Sequence, residues 1–402
     1  MANSIIVSQI GSRHRYLIPR ILYKHGLLYS LFTDSCQCSL FGKVSKVLIT
    51  HKIKTQLIER LAKRDPRIPS CFVKASDYLT LKRILRCKSS PFQQYETIYQ
   101  SLSCIFKRND IENADCVYNM YFENIDFLKH AKQKGKTIIV DIYENPKAFA
   151  ELIEEVKRNQ EYKSLENILK IYEDKNALRN KYIEEIFNIA DYYTVPSLFV
   201  LNAIKDYVGF KPERAFLLPY PTSIKPKFYN YHPRNHTLIW VGNEPVRKGL
   251  VYCAKAATAL KERYPDLDFR VIGSVDKRII NNPAFKDLHF IGVLNALDLQ
   301  HEYETAEAYV FPTLFEGFAG TVIEAASCGC PIITTEAAGT DTTKFPAIYI
   351  PRYDNDAIVS AVISIFENTN MRNELSLRTF KYAQCLSDVV FEKMLIDIMK
   401  KI

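Results

Sequence analysis

Several things are missing from this 402-residue sequence, and each absence closes off a class of explanation. It has no run of about 18 apolar residues, so no membrane-spanning helix is expected. The start, Met1-Ala-Asn-Ser-Ile-Ile-Val7, lacks a basic n-region, a long apolar stretch and a small-residue cleavage site, so no signal peptide is expected. None of the cysteines, at 36, 38, 71, 87, 104, 116, 253, 328, 330 and 385, forms a C-x-x-C pair. They read as reduced thiols in a cytosolic protein. His232 and His236 stand four apart, but Pro233 breaks any helix there, and no metal site is expected. The absence of G-x-x-x-x-G-K-[ST] excludes a P-loop kinase, that of G-x-G-x-x-G weakens a nicotinamide enzyme, and there is no G-x-S-x-G elbow. Helix-turn-helix and finger signatures are absent too, and aromatics are not interleaved with the basic runs, so no nucleic-acid partner is expected.

What is present is globular: 47% apolar and 25% charged residues. The length predicts two domains of roughly 200 residues each. Charge is uneven. Residues 1–110 hold 19 Lys and Arg against 6 Asp and Glu, while the whole chain carries +9, so the remainder is net negative. An anionic partner for the N-terminal half follows, nucleic acid or anionic lipid. A basic amphipathic helix is predicted over 43–64, with Lys43, Lys46, Lys52, Lys54, Arg60, Lys63 and Arg64 around an apolar stripe. It suits an anionic membrane surface and equally a solvated face over the core. A second basic run covers 82–88.

Strand and helix signals alternate. Ser4–Ile10 reads as a strand, broken by Gly11-Ser12 before a helix from Arg13 to His25. Leu27–Thr33, Asp115–Asn119, Thr137–Asp141 and Asp191–Val195 are further strands. Residues 147–190 read as a charge-rich helical pair with no chemistry to assign. A Pro- and Asn-rich stretch, 222–236, is the best linker, and a second series opens at Leu238–Val241. Strands follow at Phe269–Ile272, His289–Ile291, Tyr309–Pro312 and Pro331–Thr335, and three helices close the chain. The alternation predicts parallel sheets.

The second series carries the chemistry. After the strand ending at Pro312 comes a loop with Glu316 before Gly317, then a helix from Ala319 that holds Glu324. Ligands of open α/β sheets bind at such strand ends. A helix N-terminus suits phosphate, and a carboxylate suits adjacent hydroxyls of a ribose or sugar. The first loop of the same half, Gly242 to Gly249, adds Arg247 and Lys248, two cations for a diphosphate. Asp266 and Asp268 lie at a strand's other end and read as a turn.

These residues resemble glycosyltransferase family 4, the retaining enzymes with two Rossmann-like domains facing a cleft, the GT-B fold. The resemblance rests on Glu316-Gly-Phe318 and Glu324 with seven residues between, Ala325-Ala-Ser-Cys-Gly-Cys-Pro331, the loop Gly242 to Gly249, and Gly292. It is closest over about 237–340. It implies an N-terminal acceptor domain, 1–225, a nucleotide-sugar domain, 226–385, and a last helix, 386–402, crossing back to the first domain. Glu324 would hold the ribose and Glu316 the transferred sugar. Arg247, Lys248 and the amides of Ala319, Gly320 and Thr321 would neutralise the diphosphate, with Gly242, Asn243, Gly317 and Phe318 around them. Val293 and Leu294 would meet the base. Gly11, Arg13, Tyr143 and Glu144 would face them across the cleft.

Two positions depart from the family pattern. Asn243 stands where an arginine is common, and Tyr143 where a histidine is common. Tyrosine brings no positive charge to the phosphates. The resemblance implies retaining, metal-independent transfer from a UDP-, GDP- or ADP-sugar, without a cofactor, to a glycan or lipid-linked acceptor in polysaccharide or lipopolysaccharide synthesis. Location is expected to be cytoplasmic, with peripheral contact at the inner face of the membrane. The alternatives are a nucleotide-sugar epimerase, a nucleic-acid binder acting through 1–110 and a degenerate sugar-nucleotide-binding subunit.

Overall fold

A computed structural model describes residues 4–402 apart from 54, 86–99, 101, 166 and 223. The basic run at 82–88, Cys87 and the first three residues therefore fall wholly or partly outside the described residues. The other nine cysteines are free thiols.

The first half is a parallel sheet of seven described strands. In chain order they are β1 (Ile5–Gln9), β2 (Leu28–Asp34), β3 (Val73–Ser76), β4 (Cys116–Met120), β5 (Thr137–Asp141), β6 (Tyr192–Val195) and β7 (Ala215–Leu217). Their order across the sheet is β3-β2-β1-β4-β5-β6-β7. Every residue of β1 and β4 is buried, because helices cover both faces of a parallel sheet. The second half has six described strands: β8 (Thr237–Val241), β9 (Asp268–Ile272), β10 (His289–Gly292), β11 (Ala308–Phe311), β12 (Ile332–Thr334) and β13 (Ile348–Tyr349). Their order across the sheet is β10-β9-β8-β11-β12-β13. All their pairings are parallel. Strand order reverses between β1 and β4 and between β8 and β11, so both sheets open crevices at the ends of β1 and β8.

Helix α1 (Leu17–Lys24) follows the β1 loop. The expected helix over 43–64 is two: α2 (Leu40–Thr50) and α3 (Gln56–Ala62). Lys52 takes a left-handed φ of 62°, and the Thr55 hydroxyl accepts from the Ile58 amide to cap α3. Strands β3, β7 and β13 at the sheet edges are additions, each of two to four residues.

The helical pair of 147–190 is α4 (Ala148–Arg158) and α5 (Ile168–Ile189). The two halves of this segment have different allegiances. Phe149, Leu152, Val156, Tyr162 and Tyr172 bury in one cluster with Trp240, Leu250 and Cys253 of the second sheet's layers. Leu178, Ile183 and Ile186, later in α5, bury with Val117 and Val140 of the first. So α4 sits on the second domain although its sequence lies in the first. The last helices after α6 (Leu250–Arg263) and α7 (Gly320–Ser327) are α8 (Asn355–Glu367), α9 (Thr369–Ala383) and α10 (Asp388–Lys401). Helix α10 crosses back: Phe391, Leu395 and Met399 bury against Ile5, Val7 and Leu22.

Candidate active site

Two loops at the end of the second sheet are joined by a glycine. Gly249 begins α6 with φ 67°, and a Cβ there would lie 2.1 Å from the Pro312 carbonyl oxygen. Only glycine permits both the conformation and the approach. The contact holds the 242–249 loop against the chain leaving β11, where the Leu314 amide donates to the Arg247 carbonyl at 2.9 Å.

Arg247 is thereby aimed at the second loop. Its guanidinium pairs with both Glu244 and Glu316 and donates to the Phe315 carbonyl at 3.3 Å. Lys248 folds back over the Phe311 ring, its Nζ 5.0 Å from the centroid. Burial pulls its pKa down, against Glu316. Gly242 makes room for that side chain, since a Cβ would lie 2.4 Å from the Lys248 Cδ. Asn243 turns away, its Oδ1 accepting from the Ser274 amide at 2.8 Å.

The Glu316 loop is fastened from below. The Glu316 amide donates to Ala337 O at 2.7 Å, and the Ala319 amide to Ala338 O at 2.8 Å. Ala319 is therefore corrected as an anion donor, because its N–H is already used; Gly320 and Thr321 head α7. The Thr321 hydroxyl accepts from Tyr309 at 2.8 Å. Glu316 Oε1 is buried and has no hydrogen-bond partner among the described residues. Glu324 lies in the second turn of α7, half-buried, with Lys248 among the charges around it. A cavity of about 350 Å³ brings Gly242, Asn243, Arg247, Lys248, Val293, Leu294 and Thr321 together. Phe318 does not join them; its ring lies edge-on to Tyr220, 6.5 Å between centroids, at the domain junction.

The opposite wall meets this loop at Gly317. A Cβ on Gly317 would lie 1.8 Å from the Tyr143 carbonyl oxygen. The Ser197 hydroxyl donates to the Gly317 carbonyl at 2.6 Å, while also capping the helix that follows. Tyr143, in the place of the missing histidine, is not without a cation. The Arg13 guanidinium lies 3.7 Å from its ring centroid, and Arg13 Nη2 donates to its hydroxyl at 2.6 Å. Arg13 also pairs with buried Glu123 at 3.2 Å. Burial pushes Glu123 up to about 7, against the pull of Arg13. Burial likewise raises Asp141 to about 6, against hydrogen bonds from Tyr220 and Thr194. Glu144 is committed elsewhere: it pairs with Arg179 of α5, which also donates to the Asn145 carbonyl at 3.1 Å.

The loop between β1 and α1 is held in an unusual shape. His14, Arg15 and Tyr16 all take left-handed φ, at 45°, 54° and 60°. Such residues cost of order 1–3 kcal/mol each and persist only where the surroundings enforce them. Buried Tyr16, the His14 ring stacked on Tyr220 at 3.9 Å and the Glu123–Arg13 pair do so. Gly11 donates its amide to Asp34 Oδ1 at 2.8 Å, and Ile10 to Glu123 Oε2 at 2.5 Å. Asp34, Glu123, Ser197 and Tyr220 were not legible as site residues. Each belongs to a different stretch of the chain. Among the described residues no group of three His, Cys, Asp or Glu could hold a metal ion. No described helix is long and apolar enough to cross a membrane.

Residues 235–368 match the family described as Glycosyl transferases group 1. A human relative, one of the subunits of phosphatidylinositol N-acetylglucosaminyltransferase, is 28% identical over 37% of this chain and 31% of its own length. The chain spans between 31% and 40% of the first curated relatives it matches. Among solved structures, sucrose-phosphate synthase from Thermosynechococcus elongatus aligns over 99% of this chain and 98% of its own, with TM-score 0.66 and 15% identity. The Anabaena protein HepE, solved in complex with UDP and glucose, covers all of both chains with TM-score 0.61 and 10% identity. The two parallel sheets and the returning α10 are the GT-B architecture of these structures. Residues 235–368 are thus similar to that family, and the whole chain shares the two-domain GT-B frame of these structures.

Proposed function

We propose that the chain transfers a sugar from a nucleotide sugar to a hydroxyl of a glycan or lipid-linked acceptor, with retention and without a metal ion. The observation that carries this reading is Glu316 Oε1: a buried carboxylate oxygen with no described partner, fixed beside the Arg247 cation. Leaving such an oxygen unpaired costs about 1–3 kcal/mol, more when charged, and a sugar hydroxyl would satisfy it. Its neighbour Arg247 then serves the departing phosphate, so one ion pair sets both halves of the scissile bond.

In this reading the anomeric C–O bond breaks with its electron pair going to the diphosphate, stabilised by Arg247, Lys248 and the α7 amides. The acceptor oxygen bonds the anomeric carbon on the same face and gives its proton to the departing phosphate oxygen. Glu324 holds the ribose. The donor base and sugar are sought by thermal shift against UDP-, GDP- and ADP-sugars; a donor at ~100 times its dissociation constant adds about 2.7 kcal/mol. Glu316→Gln is expected to abolish transfer and keep nucleotide binding; transfer at the wild-type rate in that variant would sink the assignment.

The human relative and HepE bear names of a transferase and of UDP and glucose, which favours transfer over epimerisation. A non-catalytic binding role rested on Asn243 and Tyr143, and Arg13 beside Tyr143 weakens its basis. Membrane contact is part of the proposal. Leu40, Val44 and Val47 are exposed on α2 next to Lys43 and Lys46, a composition suited to the headgroup region of an anionic bilayer. Vesicle binding indifferent to anionic lipid content would remove this part.

A further inference from the structure

A second cavity, of about 650 Å³, opens in the first domain beside the β1–α1 loop. It is distinct from the donor cavity and is walled by Gly11, Arg13, Arg60, Lys63 and Arg64 against Asp34 and Glu59. Its centre is an arginine that is itself buried: Arg64 is 7% exposed. Arg64 Nη1 donates to Asp34 Oδ2 at 2.7 Å and to the Ser35 carbonyl at 3.0 Å. Nη2 has no acceptor among the described residues and lies on the Gly11 side, 3.5 Å from where a Cβ of residue 11 would stand. A guanidinium clamped on one edge with its other edge turned to a cavity is pre-organised for an oxyanion. Asp34 is already engaged by Arg64, by the Gly11 amide and by the Thr33 hydroxyl. Glu59 is the other carboxylate of the wall, and Arg60 and the exposed Lys63 lie beside it on the rim.

The cavity communicates with the reaction centre through one side chain. Arg13 lines it and also donates to Tyr143, whose carbonyl abuts Gly317 next to Glu316. We propose that this cavity is the subsite for a phosphate group carried by the acceptor, held by Arg64 Nη2, Lys63 and Arg60 while the acceptor hydroxyl reaches past Arg13 to the donor. Phosphate is favoured over a carboxylate because Arg13, Arg60, Lys63 and Arg64 all line one cavity, which suits a dianion with three oxygens. The acceptor role rests on the transferase reading above; the phosphate site itself does not.

The test is calorimetric titration of sn-glycerol 1-phosphate, with glycerol as the uncharged control, into the full chain carrying Arg247→Ala so that the donor loop is blunted. Binding of the phosphate and not of glycerol is expected, weakened at least tenfold by Arg60→Ala/Lys63→Ala, two changes at the rim that leave the core intact. Arg64→Lys, which can keep the Asp34 pair but loses Nη2, is expected to weaken it as well. Dihexanoyl phosphatidic acid below its micelle concentration separates the sources: tighter binding than glycerol phosphate marks a lipid headgroup, equal or weaker binding a soluble phosphate. Affinity unchanged by Arg60→Ala/Lys63→Ala, or no phosphate binding once Arg247 is replaced, overturns the proposal. Phosphate binding as expected together with failure of every nucleotide sugar to bind would leave the subsite standing and remove the transferase reading.

Discussion

The second domain's wall of the cleft draws its polar groups from two short stretches, 242–249 and 316–324. The first domain's wall takes Arg13, Asp34, Arg64, Glu123, Tyr143 and Tyr220 from stretches separated by about 20 to 80 residues each. The former positions charge by backbone contact, loop against loop, with Gly249 on the Pro312 carbonyl. The latter positions charge by side chains reaching from buried carboxylates. A loop motif can therefore be read locally, while a side-chain relay needs the fold. The relay also sets a cation, Arg13, against both the ring and the hydroxyl of Tyr143.

The largest expected effect breaks the point where the walls meet. Gly317→Ala puts a methyl 1.8 Å from the Tyr143 carbonyl. Displacement of about an ångström at a reacting centre can cost roughly 100-fold in rate, so transfer is expected to fall by about that factor while nucleotide binding changes far less. Comparing kcat with nucleotide affinity in the variant checks this, and equal losses in both would place the glycine's role in the donor site alone.

Next in size is the relay. Arg13→Ala leaves Glu123 buried without its cation, and breaking a buried pair costs on the order of 3 kcal/mol, less here because Arg13 is partly exposed. Tyr143→Phe removes one hydrogen bond, about 1 kcal/mol. Urea titration should rank Arg13→Ala well above Tyr143→Phe; the reverse order would mean that the tyrosine hydroxyl, not the ion pair, fixes the wall.

The pH dependence is smaller and belongs to the first domain's wall. Glu123 and Asp141 bind protons more tightly folded than unfolded, at about 7 and about 6. Over the interval from their ordinary values to those, the folded state holds more protons, so these groups make stability fall as pH rises. Thermal unfolding between pH 4.5 and 7.5 should show this slope, and Glu123→Gln should flatten its upper part. An unchanged slope in that variant would assign it elsewhere.

The smallest effect concerns the surface. Lys43→Glu with Lys46→Glu should leave thermal stability within about 0.5 kcal/mol, as surface changes do, while lowering binding to anionic vesicles.

Both sheets and the strand ahead of the Glu316 loop were legible because parallel strands are apolar runs bounded by glycine and proline, whereas the return of the last helix came from the family resemblance alone. The edge strands β3, β7 and β13 were not, since two to four residues make no period. Ala319, Phe318 and Glu144 fit a local motif yet are spent on backbone, the domain junction and Arg179 respectively. Asp34 and Arg64 are 30 residues apart and nothing local marks them as a pair.

The allegiance of α4 bears on how the molecule would respond to being cut. The 222–236 stretch is not the sole tie between the halves. The chain also passes from the first domain to the second through 142–148, returns along α5, and crosses again before α10. A protease nick in 225–235 would yield two fragments, each holding a helix that the other half buries. They are expected to co-elute on size exclusion under native conditions and to separate only in denaturant.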